Sequence, residues 1–332
     1  MFSVSLVNDP FGDPAVFLEF KHRRRAILFD LGDLHPLPAR KILKVDYVFV
    51  SHTHMDHFIG FDHLVRLCLG RDRRISLFGP PGFIDQVQRR LGAYSWNLVL
   101  HYTNDFVFTV TETDPGRGRR RALFQCRTGF VREDEGGWEA DDDVLVDEGL
   151  FLVRRAFLDH KIPSLAFSFE ERQHVNIKKN VLREMGFDTG PWLNEVKEGI
   201  VKGYPPETPI LARWRDEGGV KEREVTLGEI RRQAVKVTPG RRVAYVTDAL
   251  YSPDNVERIT ALAGGAEILF IETVFLHEDR RRAAETYHLT ARQAGEIARL
   301  CGAKRMVPFH FSPKYKGSED LLVREALAAF AG

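Results

Sequence analysis

One segment, His52-Thr53-His54-Met55-Asp56-His57, constrains this chain more than any other. It packs three imidazoles and one carboxylate into a single turn-sized stretch. Neutral imidazole nitrogen and carboxylate oxygen are the donors that borderline cations such as Zn²⁺ accept. The segment follows Val45-Asp46-Tyr47-Val48-Phe49-Val50, an apolar, β-branched and aromatic run that predicts a buried strand. Phe58, Phe61, Leu64, Val65 and Cys68 then recur at helical spacing, which predicts a helix beginning near His57. Residues two apart in an extended segment project to the same side, so His52 and His54 can share one ion. Asp56 and His57 fall where the chain must turn, and can face a second ion. The plain alternative is a histidine-rich loop without metal, and the strand–loop–helix setting argues against it.

Composition adds little about partners. Lys plus Arg is 48 and Asp plus Glu is 47, so net charge does not announce a nucleic-acid partner and any such surface must be local. The 43% hydrophobic content across 332 residues can build one large domain or two small ones. Cys68, Cys126 and Cys301 are too far apart for a disulfide framework or a zinc knuckle, and Cys68 and Cys301 lie on apolar helical stripes. The first residues lack the basic and apolar regions of a signal peptide, and no long uncharged apolar run suggests a membrane span. A soluble, cytoplasmic protein without membrane contact is expected.

Strand-like runs ending in turns recur along the chain: Ala26-Ile27-Leu28-Phe29-Asp30, Ser76-Leu77-Phe78-Gly79, Arg242-Val243-Ala244-Tyr245-Val246, Ala266 to Ile271, and Arg305 to Phe309. Residues 111 to 149 read as an exposed hairpin turning at Asp114-Pro115-Gly116, with a break at Gly136-Gly137. Residues 173–235 differ in character, with dense charge and recurrent Gly and Pro. Two short helices are expected there, around Val181-Leu182-Met185 and Trp192-Val196. This reads as an arm inserted between a first half at 1–172 and a second half at 236–332. Pattern alone leaves the class between α/β and α+β.

H-x-H-x-D-H after an apolar strand resembles the metallo-β-lactamase superfamily, and the rest of the chain, from about residue 26 to about 317, resembles its ribonuclease Z branch, the tRNA 3′-processing endonucleases. The resemblance implies an α/β fold of the four-layer αβ/βα sandwich type. It also implies the remaining ligands: His160, Asp248, and His310 in His310-Phe311-Ser312-Pro313-Lys314-Tyr315. One ion would take His52, His54 and His160, the other Asp56, His57 and His310, with Asp248 bridging. Two divalent cations are implied, Zn²⁺ first, with Mn²⁺ or Fe as alternatives. Asp56 would orient or deprotonate the attacking water. Asp30 and Asp33 are expected either behind the ligand histidines or as turn caps.

Glu272, in Ile271-Glu272-Thr273, and His288, in Tyr287-His288-Leu289-Thr290, match the branch's catalytic Glu–His pair. A carboxylate raises an imidazole pKa, and the imidazolium can protonate a leaving 3′ oxygen or hold a phosphate oxygen. Thr290-Ala291-Arg292-Gln293 reads as a capping box that would fix His288. The stretch from Val181 to Gly199, with Gly190-Pro191 inside it, resembles the branch's exosite, where the arm of one subunit of a homodimer clamps tRNA bound to the other. Lys178, Lys179, Arg183 and Lys197 would contact phosphates.

The chain departs from the branch in several places. The N-terminal Pro-x-Lys-x-Arg-Asn loop is replaced by Asn8-Asp9-Pro10-Phe11-Gly12-Asp13-Pro14, and extra sequence stands near Tyr204 to Gly219. The expected activity is metal-dependent hydrolysis of a phosphodiester in precursor tRNA 3′ trailers. The alternatives are a paralogous hydrolase of a small phosphodiester or lactone, and a non-catalytic RNA-binding protein.

Overall fold

Apolar β-branched runs too short for helices become the strands of two sheets. The structure, a computed structural model, describes residues 2–21, 23–116, 118–140, 142–216 and 218–332. Its first sheet has eight strands hydrogen-bonded in chain order, from Phe2–Leu6 to Arg132–Glu139. The middle strands Ala26–Phe29, Val45–Phe49, Arg73–Gly79 and Phe106–Thr113 are parallel, so their C-terminal ends share one edge. The second sheet has six strands, in the order Met306–Phe309, Ile268–Glu272, Arg242–Val246, Ile162–Glu171, Phe151–His160 and Val144–Asp147. Its first three are parallel to one another.

The two sheets meet through large rings. Phe29 and Phe49 of the first lie 5.9 and 5.6 Å from Phe167 of the second, and Phe29 stacks on Tyr245 at 6.0 Å. Helices cover the outer faces. Phe61, Leu64, Val65 and Cys68 of Phe61–Cys68 and Phe83, Ile84, Val87 and Leu91 of Phe83–Leu91 are buried against the first sheet. Ala294, Ile297 and Ala298 of Ala291–Leu300 and Leu322 and Ala326 of Glu319–Ala331 are buried against the second. This is the four-layer sandwich that the resemblance implies.

Chain contacts divide the molecule into two units: Phe2–Leu145 with Arg154–Ser168 and Val243–Gly332, and Val146–Val153 with Phe169–Arg242. The second unit contains all of 173–235. It has a core of its own, in which Leu182, Phe187, Trp192, Val196, Ile210 and Ile230 are buried together. Its helices Lys179–Glu184 and Trp192–Lys202 lie where the sequence places them. A hairpin, Pro209–Asp216 with Gly219–Thr226, and a third helix, Leu227–Ala234, are additional. The hairpin is hidden in sequence by charge. Ile210 and Ala212 are buried while Leu211 and Arg213 are exposed, the period of a half-buried strand.

Two further expectations are corrected. Gly136-Gly137 does not break the chain, because both sit inside the strand Arg132–Glu139, paired to Arg121 and Arg120. The helix after the histidine run is two helices, Met55–Phe58 and Phe61–Cys68, jointed at Gly60. A Cβ on Gly60 would lie 2.1 Å from the carbonyl oxygen of Gly32, so only glycine allows this approach.

Candidate metal centre

The site is built from residues that leave strands abruptly. Asp30 follows Ala26–Phe29 and His310 follows Met306–Phe309, while Asp248 stands two residues beyond Arg242–Val246. All three adopt left-handed backbone, with φ of 59°, 60° and 48° respectively. Lys161 and Tyr287, flanking His160 and His288, do the same at 61° and 60°. Such conformations cost non-glycine residues about 1–3 kcal/mol each and persist where the surroundings enforce them. Their clustering here marks the site independently of residue type.

The histidine run is clamped from behind. Leu31 N–H donates to the His57 carbonyl at 2.9 Å and Gly60 N–H donates to the Leu31 carbonyl at 2.8 Å. The loop after Asp30 and the turn carrying Asp56 and His57 thus hold one another.

Donor atoms fall into overlapping groups. His52, His54, His160 and Asp248 each offer an atom within 4.8 Å of the others, as do Asp56, His57 and His310, and also Asp248, Glu272, His288 and His310. Asp248 is common to two of these groups. Its Oδ2 lies 3.2 Å from His52 Nε2, 3.3 Å from His57 Nε2 and 3.4 Å from His160 Nε2. Its Oδ1 is 3.2 Å from His310 Nδ1. Asp56 Oδ2 is 3.2 Å from His310 Nε2 and 3.4 Å from His57 Nε2.

Hydrogen bonds at the far ring nitrogens fix the tautomers. His160 Nδ1–H donates to the Tyr287 carbonyl at 2.7 Å. His57 Nδ1–H donates to Asp30 Oδ2 at 2.8 Å, and His52 Nδ1–H to Ser51 Oγ at 3.0 Å. Each bond turns an Nε2 lone pair inward, the arrangement of metal-ligating histidine with its supporting acceptor. His57 Nε2 and His310 Nδ1 are buried without a hydrogen-bond partner, and His52 Nε2 faces His54 Nδ1 at 2.9 Å. Orphaned buried nitrogens are unfavourable unless a cation satisfies them. The residues present therefore fit divalent metal.

Burial opposes charge on His57 and His310, yet Asp248 outweighs it and raises both pKa values; a bound cation would take the place of that positive charge. Burial lowers the pKa of His54 and of His160, which keeps both imidazoles neutral and able to donate a lone pair. Burial alone would raise the Asp56 pKa, but His310 and His57 outweigh it and hold the carboxyl well below the usual range. Burial opposes charge on His288, yet Glu272 outweighs it and raises the pKa. That pair is direct, with His288 Nδ1–H donating to Glu272 Oε2 at 2.8 Å. Glu272 Oε1 also accepts from the N–H groups of Ala249 and Leu289. One buried carboxylate thereby ties the Asp248 loop to the His288 loop. The capping box at Thr290 and Gln293 is formed.

Behind the centre stands Asp30, fully buried, which accepts from Ser51 N–H at 2.6 Å, Ser51 Oγ–H at 2.8 Å and Tyr245 Oη–H at 2.7 Å besides His57. Ser51 and Tyr245 are supporting residues that sequence reading missed. A serine before the run and a tyrosine inside an apolar strand carry no signal of their own. Replacing Asp30 by asparagine would set an amide among these donors, and a fall in metal affinity of about 10–100-fold is expected. Competition with a chromophoric chelator measures it.

Asp33 serves the other role weighed for it. Its Oδ1 accepts from His35 N–H at 3.0 Å, a turn cap. In the second unit Lys178, Lys179 and Arg183 are exposed, with Arg183 3.7 Å from Asp188. Lys197 is half-buried, and burial lowers its pKa, so it is less available to phosphate than the other three.

Comparison with known proteins matches this architecture. The sequence profile described as the beta-lactamase superfamily domain matches residues 24–130 and 221–311, more than half of the chain. The chain belongs to the beta-lactamase superfamily. Among curated members it is similar to the ribonuclease Z of Deinococcus radiodurans, at 26% identity over 99% of this chain and 96% of that protein. Among solved structures it is similar to the metallo-beta-lactamase fold protein YhfI from Bacillus subtilis, with a TM-score of 0.55 and 15% identity. That match covers 99% of this chain and 93% of the other. It is also similar to human tRNase Z, short form, with a TM-score of 0.54 and 19% identity over 95% of this chain and 94% of that one. No helix among the described residues is long and apolar enough to cross a membrane.

Proposed function

We propose that this superfamily member is a ribonuclease Z-like endonuclease that hydrolyses a phosphodiester in the 3′ trailer of precursor tRNA. One observation carries the reading. The Glu272–His288 pair stands against the cluster of inward-facing histidines, with His288 Nδ1 3.9 Å from Asp248 Oδ1. This supports His288 as the proton donor to a leaving oxygen. The full-length similarity to ribonuclease Z supports the choice of RNA.

In this proposal His52, His54, His160 and Asp248 hold one divalent ion, and Asp56, His57, His310 and Asp248 hold another. Zn²⁺ is the first candidate, and Mn²⁺ or Fe also suit the donors. When bound, such ions would lower the pKa of the attacking water and offset charge on the attacked phosphate. Asp56 would orient that water or take its proton. His288, held by Glu272, gives a proton to the departing 3′ oxygen. Lys178, Lys179 and Arg183 contact tRNA phosphates from an arm spanning 173–235, with Lys197 a lesser contributor. The functional form is a homodimer in the cytoplasm.

Stripping the metal with a chelator should abolish cleavage, and Zn²⁺ or Mn²⁺ should restore it. Cleavage that survives in metal-free protein would sink the mechanism. A second reading, hydrolysis of a small phosphodiester or lactone, is favoured by the N-terminal loop. Asn8 Nδ2 donates to the Asp13 and Asp33 carbonyls, Phe311 N–H donates to the Pro10 carbonyl, and Phe11 packs on Phe311 at 5.4 Å. This acidic loop, tied down by these contacts, differs from the basic Pro-x-Lys-x-Arg-Asn loop of the branch. Turnover of such small substrates with precursor tRNA untouched would select it.

A further inference from the structure

A cavity of about 540 Å³ opens on the outer side of the helix Phe61–Cys68, apart from the metal cluster. Ile59, two residues after His57, contributes to its wall, so the cavity begins next to the ligand run. Its size is within the roughly 300–1,000 Å³ usual for small-ligand pockets. The walls carry planar rings from three separate segments. His35 and His63 lie at 4.2 Å with their planes tilted by 41°. Tyr94 meets Trp96 at 5.9 Å with their planes 67° apart, and Tyr94 is 48% exposed.

These rings are held in place. Trp96 Nε1–H donates to the Leu91 carbonyl at 2.8 Å, Tyr94 Oη–H donates to Asp62 at 2.7 Å, and His35 is fixed by Asp33 at 2.6 Å. Asp62 also pairs with Arg90 at 2.7 Å, which offsets its charge. Arg66, at the cavity wall one helical turn from His63, is exposed and makes no ion pair among the described residues.

Preset aromatic faces beside an uncommitted guanidinium are what a single-stranded nucleotide needs. Unpaired bases stack on Tyr, Trp and His rings, and arginine holds the phosphate between them. We infer that this cavity receives an unpaired base of the RNA strand, with Arg66 on an adjoining phosphate. The inference rests on the RNA reading above. It adds a base-stacking subsite on the face of the first unit next to the ligand turn.

The test compares wild type with Tyr94→Ala, Tyr94→Phe and Arg66→Gln. It reads KM for precursor tRNA, anisotropy binding of a short single-stranded RNA oligonucleotide, and mass by light scattering. Tyr94→Ala should weaken oligonucleotide binding and raise KM by about ten- to a hundredfold. Tyr94→Phe keeps the ring and should restore binding, whereas Arg66→Gln should weaken it and flatten its salt dependence. Unchanged binding in both Tyr94→Ala and Arg66→Gln would overturn the inference. So would a change of mass in these variants, since the cavity would then be a contact between copies of the chain. A wild type that binds but never cuts RNA, with binding lost in Tyr94→Ala, would refute the endonuclease reading and support the cavity.

Discussion

Asp248→Asn is expected to strip the protein of metal and of activity toward every substrate. This carboxylate is 2% exposed and faces four imidazoles, those of His52, His57, His160 and His310, at 3.2 to 3.4 Å. Burial disfavours its charge, but His57 and His310 outweigh that and hold its pKa well below the carboxylate range. Losing a group that merely supports a ligand typically costs about 10–100-fold in metal affinity, and losing a direct carboxylate donor is expected to cost more. Metal content after gel filtration, with circular dichroism as a check on folding, measures it. A folded variant that keeps its full metal complement and its activity would remove Asp248 from the centre.

His288→Ala should behave differently. Its Nδ1 is committed to Glu272 and its ring is the other face of the proton-donor pair. General-acid catalysis is typically worth 10²–10⁴-fold, so about that loss is expected on RNA, with bound metal retained. The loss should shrink on a p-nitrophenyl phosphodiester. Its phenolate leaves without a proton, whereas a ribose 3′ oxygen cannot. Equal losses on both substrates would mean that His288 holds structure and not a proton. Glu272→Gln tests the same pair from behind. It leaves the Ala249 and Leu289 N–H groups an acceptor but removes the charge that sustains imidazolium.

Much of this candidate centre is legible in the sequence, for a physical reason. His52, His54, Asp56 and His57 are contiguous, and their spacing after Val45-Val50 carries the geometry. His160, Asp248 and His310 were legible only through resemblance, since an isolated histidine at a strand end has many explanations. Sequence could not show that Asp30, Asp248 and His310 share a left-handed backbone, because such strain arises when neighbouring strands hold the ends. Nor could it show Ser51 and Tyr245 converging on Asp30, contacts that span 21 and 215 residues. The second unit was half-read. Its helices declared themselves by apolar spacing. Its hairpin did not, because the exposed positions of Pro209–Asp216 include Leu211 beside arginines and blur the alternation.

Cleavage of a precursor tRNA bearing a 3′ trailer, with metal analysis, by wild type and by Asp56→Ala is the most direct test. Two metal ions per wild-type chain are expected, with cleavage at the trailer junction that disappears in Asp56→Ala. Wild-type protein loaded with two ions that leaves every precursor tRNA intact would contradict it.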